Sequence, residues 1–458
     1  MGLARRRELI VFLLAAAAAV LLACGRGAKP PEKAPSPVTL RAALGQGLVK
    51  AGEATSLLAR VDLEALSRRT AKRPTVNLAL VVDTSGSMDG RAIDDARRAS
   101  LALIESLSAG DRLAFVTFDS TPELVLPSTE LADADLTAVR ARIAGIRARG
   151  TTDLEGGLRM ALAQVRAHFV REGVNRVVLL GDGVPNAASD VRRISDEAGQ
   201  AGVSITTLGL GDDYDETLMG DIAQRSGGRF HYVQDSTRVA AFFREEVVRL
   251  NRVVARQATL ELMPGPGVHV TRVIGQPSSP TGRGGVMVQL GDVSLGDARE
   301  LVVELAAEGA RAGRAMEVVD AILRYREVGA EVEREERAFL GAKVTSDADK
   351  VSASRDESVE KAAARAREAA LVLEDIRRQR EEDKDKRDED RPAPAPLTAA
   401  PAPLTAAPAP VTAAPELASP TPPRPVRDPR PAVRRPAPAE LRRMHDDAMK
   451  VLQGRSGP

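Results

Sequence analysis

The sequence predicts an α/β protein: an open, doubly wound, mostly parallel sheet with a flanking antiparallel β-sandwich and a disordered Pro/Ala-rich C-terminal tail. Three observations predict it. Between residues 75 and 253, short apolar runs alternate with stretches of helical period. Strands joined through helices run parallel, with right-handed crossovers and helices on both faces. From 254 to 346 the helical period gives way to strand-like runs separated by Gly/Pro-rich turns. From 392 to 440 Pro and Ala dominate, and a Pro-Ala-Pro-Leu/Val-Thr-Ala-Ala unit repeats with a period of seven between Pro394 and Ala414. That composition cannot bury a core and reads as an extended spacer.

The elements follow in order. Arg5-Arg6-Arg7 precedes an apolar run, Leu9 to Leu22, too short to span a bilayer and flanked like a secretory signal, so residues 1–23 are expected to be removed. Residues 24–37 are Pro-rich and read as a tether. Residues 38–74 alternate weakly and are expected to supply N-terminal strands to the sandwich, making the α/β unit an insertion within it. Within that unit Asn77–Asp83, Arg112–Phe118, Arg176–Gly181, Val203–Leu210 and Phe230–Val233 read as strands. Arg91–Leu107, Leu136–Ile146, Leu154–Val170 and Thr237–Val253 read as helices. The sandwich strands are expected at Ala258–Leu262, Val268–Ile274, Val286–Leu290, Glu300–Leu305, Ala315–Tyr325 and Arg337–Val344. Residues 347–391 form a charged helix whose apolar stripe (Ala363, Ala369, Leu371, Leu373) is narrow; a solvated single helix and a short interaction segment are both open readings. After the 392–440 linker, with an Arg-rich patch at Pro423–Arg435, residues 441–458 are a short helix and tail.

Composition excludes several functions. Across 458 residues Lys+Arg number 65 and Asp+Glu 64, so the chain as a whole has no claim on a polyanion, and no specific nucleic-acid partner is expected. Aromatics make up 2% and Trp is absent, which argues against base-stacking surfaces. The single Cys excludes an internal disulfide and a Cys-based zinc site. The four His are scattered, with no His-x-x-x-His pair.

The chemistry gathers at strand ends. Asp83-Thr84-Ser85-Gly86-Ser87 alternates a carboxylate with two hydroxyls, able to turn three oxygens toward one point at the sheet's C-terminal edge, where open α/β sheets bind ligands. Gly150-Thr151-Thr152-Asp153 opens a helix, and Gly181-Asp182-Gly183 follows a strand. Asp83, Ser85, Ser87, Thr152 and Asp182 make an oxygen-only shell suited to Mg²⁺ or Mn²⁺ rather than Zn²⁺ or Cu²⁺. Asp119, Asp212, Asp213 and Asp215 also lie near strand ends and read as ordinary loop carboxylates; Glu155 and Asn186 are unassigned neighbours.

With these motifs on the page, residues 75–253 resemble a von Willebrand factor type A domain. Its Asp-x-Ser-x-Ser is matched at 83, 85 and 87, its Thr at Thr152 and its later Asp at Asp182, with Gly181 where the family carries Thr. The resemblance implies a metal-ion-dependent adhesion site: Ser85 and Ser87 on the metal directly, Asp83, Thr152 and Asp182 directly or through water. It also implies linkage between metal geometry and the last helix, Thr237–Val253. Leu21-Leu22-Ala23-Cys24 resembles a bacterial lipobox, which implies lipidation of Cys24 and a membrane-anchored lipoprotein of the cell envelope, with Gly25 favouring the outer membrane. The function expected is a non-enzymatic, envelope-anchored module docking a protein partner's Asp or Glu on the metal. An Mg-dependent α/β hydrolase or phosphatase with Asp83 as nucleophile, and a structural spacer with a vestigial metal site, are the alternatives. The Arg-rich tail adds an anionic envelope surface as a further partner.

Overall fold

The computed structural model describes residues 35–66, 73–181, 189–209, 215–232, 239–330, 332–389 and 437–453. Cys24, Asp182, Asn186, Asp212, Asp213 and the Pro/Ala-rich stretch lie outside the described residues. Three strands come first: β1 (Val38–Leu44), β2 (Leu48–Lys50) and β3 (Thr55–Ala65). The α/β unit runs β4 (Val76–Asp83), α1 (Arg91–Ser106), β5 (Arg112–Phe118), β6 (Pro122–Glu130), α2 (Leu136–Gly145), α3 (Leu154–Ala167) and β7 (Val174–Gly181). It continues through α4 (Ser189–Gln200), β8 (Ser204–Gly209), α5 (Glu216–Arg225), β9 (Phe230–Tyr232) and α6 (Val239–Leu250). Then come β10 (Val253–Pro264), β11 (Val268–Val273), β12 (Ser279–Pro280), β13 (Val286–Ser294), β14 (Ala298–Ala307), β15 (Ala315–Glu327) and β16 (Glu333–Thr345). Helices α7 (Ala348–Ala353), α8 (Glu357–Glu389) and α9 (Pro438–Leu452) complete the described elements.

The central sheet has the order β6-β5-β4-β7-β8-β9. All its pairings are parallel except β5 with β6. Every residue of β4 and β7 is buried, as expected of strands covered on both faces. Side chains alternate between two cores. Leu78, Leu80 and Val82 pack with α1 and α6, while Ala79 and Val81 pack with α3, α4 and α5. The sequence reading lacks α4, α5 and the edge strand β6. In α4 the apolar residues packed into the core are Val191, Ile194 and Ala198, beside the buried Ser195, a stripe too narrow to stand out among charged residues. In β6, Pro122 and Pro127 suggest a turn, but an edge strand tolerates them because one side needs no ladder donors.

The remaining strands form two facing sheets, β1-β3-β14-β11 and β12-β13-β10-β15-β16-β2, antiparallel except for β16 with β2. They share one core, in which Leu57, Val61 and Leu63 of β3 join Leu260, Leu262, Leu323 and Tyr325. Ser36, just before β1, bonds the hydroxyl of the buried Tyr325 at 2.5 Å. One turn, Leu295–Asp297, grips both ends of the α/β unit. Ala65 N donates to Asp297 O (2.9 Å), and Leu295 N donates to Arg252 O (2.9 Å). Asp297 also receives Arg229 (3.2 Å) and Arg249 (2.5 Å).

Helix α8 is not the solvated single helix that its charge allows. Its alanines Ala362, Ala363, Ala366, Ala369 and Ala370 are buried with Ile274 and Val302. Leu371, read from sequence as part of the apolar stripe, is 63% exposed. Arg377 and Arg380 of α8 pair with Asp221 (3.3 Å) and Glu216 (2.7 Å) of α5, tying the helix to the α/β unit. Helix α9 begins at Pro438, inside the stretch assigned from sequence to the linker, and Pro is well suited to a first helical turn. It lays Met449 into the α/β core and Leu452 against Ile274.

Candidate metal centre

The site starts where β4 runs out. Asp83 is fully buried, and its Oδ1 accepts the amide of Ser85 at 2.8 Å, so the carboxylate turns the chain back over itself. A short turn, Gly86–Met88, follows; fully buried Met88 pins it to the core before α1 begins. The result brings the Ser85 and Ser87 hydroxyl oxygens to 3.0 Å from each other, with Ser85 buried and Ser87 exposed.

A second loop is stitched to both sides of Ser85. Arg149 N donates to Thr84 O (2.8 Å), and Gly86 N donates to Gly150 O (3.1 Å). Gly150 has φ +70°, and a Cβ there would lie 2.6 Å from Ser120 Oγ, so glycine alone fits. This loop carries Thr152, which is buried, and Asp153, whose side chain caps α3 through Gly156 N at 2.9 Å. The third strand end closes from behind. A Cβ on Gly181 would fall 2.5 Å from Asp83 Cβ and 3.0 Å from its Oδ2, so β7 abuts the Asp83 carboxylate without a side chain between. Asp182, next in the chain, lies outside the described residues.

The structure thus brings Asp83, Ser85 and Ser87 together and hydrogen-bonds the Thr152 loop to them. The donors are oxygens only, which suits a small hard cation. Among the described residues no three His, Cys, Asp or Glu side chains gather as a metal site, so hydroxyls dominate this donor set.

The neighbouring carboxylates have other work. Burial pushes Asp119 up, but Arg149 (2.6 Å) and the Thr121 and Ser120 amides outweigh it and hold the group below its ordinary value. Its backbone oxygen also receives Asp153 N at 2.7 Å, so Asp119 braces the Thr152 loop. Asp215 caps α5 through Leu218 N (2.9 Å), and burial, the largest influence, pushes it up. Glu155 pairs with Arg159 at 2.8 Å. The sequence reading missed Arg149 as the organising cation; its signal was the run Arg140, Arg142, Arg147 and Arg149, which contains no acidic residue.

A model of the von Willebrand factor type A domain matches residues 77–245. Residues 77–245 form a von Willebrand factor type A domain. Relatives of this chain include sll0103 of Synechocystis sp., 28% identical over 245 residues, 51% of this chain and 58% of that protein. YfbK of Escherichia coli is 28% identical over 269 residues, 56% of this chain and 46% of that protein. The chain spans about half the length of the curated relatives it matches. The solved von Willebrand factor type A structure from Catenulispora acidiphila shares the fold, with a TM-score of 0.61 at 17% identity over 77% of this chain and 84% of that one. That coverage exceeds the VWA stretch itself, so flanking elements belong to the shared fold.

Proposed function

We propose that this chain is a membrane-anchored, metal-dependent protein-binding module of the bacterial envelope. The observation that carries the reading is the pair of hydroxyls of Ser85 and Ser87, 3.0 Å apart, beside a buried Asp83 and a loop hydrogen-bonded across them. Asp83, Ser85, Ser87, Thr152 and Asp182 would hold Mg²⁺ or Mn²⁺. A bound cation in a shell rich in neutral hydroxyls supplies an electrophilic point for a partner's Asp or Glu carboxylate. The protein's own part is positioning: Asp83 fixes the Ser85 amide, Gly86 and Arg149 lock the two loops, and exposed Ser87 opens the site outward.

A nucleophilic role for Asp83 is disfavoured by access. The carboxylate has no solvent exposure, and one of its oxygens is engaged by Ser85 N. A binding surface needs no such access to Asp83. Anchoring rests on the lipobox resemblance at Leu21–Cys24; among the described residues no helix is long and apolar enough to cross a membrane. The reading is tested by calorimetric titration of the full chain with Mg²⁺ and Mn²⁺, with Asp83→Ala as control. Saturable binding lost in the variant supports it. Flat titrations, together with partner capture that ignores chelator, sink it, and Mg²⁺-dependent phosphatase turnover lost in Asp83→Asn would put the enzyme reading first.

A further inference from the structure

Beside the metal loops lies a cleft of about 300 Å³, at the small end of ligand sites, which span roughly 300–1,000 Å³. Thr84 lines it, the residue between Asp83 and Ser85, so the cleft begins one residue from the oxygen shell. The Thr84 hydroxyl is already engaged, donating to Phe118 O at 3.0 Å. The cleft's character comes from Arg142, Arg147 and Arg149, set against a single carboxylate, Glu123.

These arginines are unequally committed. Arg149 is spoken for by Asp119, with Glu123 3.9 Å away. Arg142 donates only to Val125 O (2.9 Å), and Arg147 to Ile146 O (3.1 Å) and Ala144 O (3.3 Å). All three are exposed, and no acidic side chain among the described residues pairs with Arg142 or Arg147. Two guanidinium forks therefore keep donors free for an acceptor from outside, and a planar fork matches a carboxylate in bidentate fashion. The Arg149–Thr84 backbone bond fixes the distance between this cleft and the Ser85–Ser87 hydroxyls, so the two features form one surface.

We propose that this cleft receives a second carboxylate from the same protein partner, so that the surface reads an acidic segment and not a lone Asp or Glu. The proposal rests on the metal reading above and specifies its partner: a protein segment with two acidic side chains at a fixed spacing, one for the cation and one for Arg142 and Arg147. The third arginine, paired with Asp119, holds the loop.

The test uses the full chain and a set of immobilised Gly/Ser peptides carrying no, one or two Glu at varied spacing, probed in Mg²⁺ and in chelator. Expected is about tenfold tighter binding of two-Glu peptides at one preferred spacing than of one-Glu peptides, the size of one charge-assisted hydrogen-bonded pair. Arg142→Ala/Arg147→Ala should erase that advantage and leave Mg²⁺-dependent one-Glu binding in place. Both side chains are exposed and donate only to backbone carbonyls, Arg142 to Val125 of β6 and Arg147 within its own turn, so the melting temperature should move little, and that is measured alongside. Equal binding of one- and two-Glu peptides, an advantage that survives the double variant, or no peptide binding at all would overturn the inference. Equal competition by inorganic phosphate without any spacing preference would overturn it too, marking a free-anion site. An advantage retained in chelator would uncouple the cleft from the metal and overturn the joint proposal. The Mg²⁺ titration of wild type and Asp83→Ala separates failure of this inference from failure of the metal reading.

Discussion

Arg176 offers the sharpest test of how the VWA domain is mounted. It sits on β7, and its guanidinium reaches Asp292 of β13 at 2.9 Å, Thr206 of β8 at 2.9 Å and Glu246 of α6 at 3.6 Å. The three charged side chains are 6%, 7% and 3% exposed, so one buried cation joins the central sheet, the last VWA helix and the sandwich. Arg176→Met keeps much of the packing but leaves two carboxylates buried. Asp292 keeps Gln257 N at 3.4 Å and the charge of Arg299 nearby, whereas Glu246 keeps, among the described residues, only Thr206 Oγ1 at 3.5 Å. Breaking such a pair from one side costs about 3–5 kcal/mol. Removing the charge orphaned on Glu246 should undo part of the damage, because one neutral buried polar group costs only about 1–3 kcal/mol. We therefore expect Arg176→Met to lose about 3–5 kcal/mol in urea unfolding followed by circular dichroism, and Arg176→Met/Glu246→Gln to recover at least about 1 kcal/mol of it. A single variant that loses less than about 1 kcal/mol, or a double variant less stable than the single, would refute the reasoning.

Three further outcomes are expected. Gly181→Ala places a Cβ 2.5 Å from Asp83 Cβ and must displace the carboxylate; Mg²⁺ affinity by calorimetry should fall about 10–100-fold, the usual cost of disturbing a ligand's support, and unchanged affinity would deny Asp83 a place in the shell. His445 of α9 packs edge-on to Phe230 at 5.1 Å, and burial, then Arg377 and Arg380, push its pKa from 6.5 to about 3. The released helix takes up a proton that the docked helix refuses, so docking is full above pH 6.5 and weakens by about 1.4 kcal/mol per pH unit as pH falls toward 3. Hydrogen exchange of α9, corrected for intrinsic rates, should quicken near pH 5 in wild type and not in His445→Phe; equal pH dependence in both would assign the effect elsewhere. Cys24→Ser should lose incorporation of an alkyne-labelled fatty acid and leave the membrane fraction, and retained label would place the acyl chain on another residue.

What could be read from the sequence was what is local. Asp83, Ser85 and Ser87 fall within five residues, so their shared direction follows from the strand end alone. The buried strands β4 and β7 announce themselves as unbroken apolar runs, and the α/β class follows from them. What resisted reading depends on partners far along the chain. The approach of Gly181 to Asp83 is set by parallel register, Val82 opposite Leu180, and nearly a hundred residues of chain separate the two strands. The arginine run at 140–149 is visible, but its convergence on a cleft requires the bond from Arg149 N to Thr84 O.

Helix α8 makes the same point through residue size. Between Val359 and Ile376, both buried, its inner face is alanine at 362, 363, 366, 369 and 370, a clean helical stripe, yet each alanine carries a small transfer energy beside Leu371. Weighting by hydrophobicity therefore turns the helix toward Leu371, which the structure leaves in solvent. The alanines win because close approach lets the whole helix face meet Ile274 and Val302, and many short contacts together exceed one long side chain. Gly150 and Gly181 act likewise around Asp83 and Ser85, where the missing Cβ lets two pieces of the chain touch. In this protein the meeting of the Ser85 and Thr152 loops and much of the mounting of α8 depend on small residues, whose signal lies in what surrounds them and not in the residues themselves.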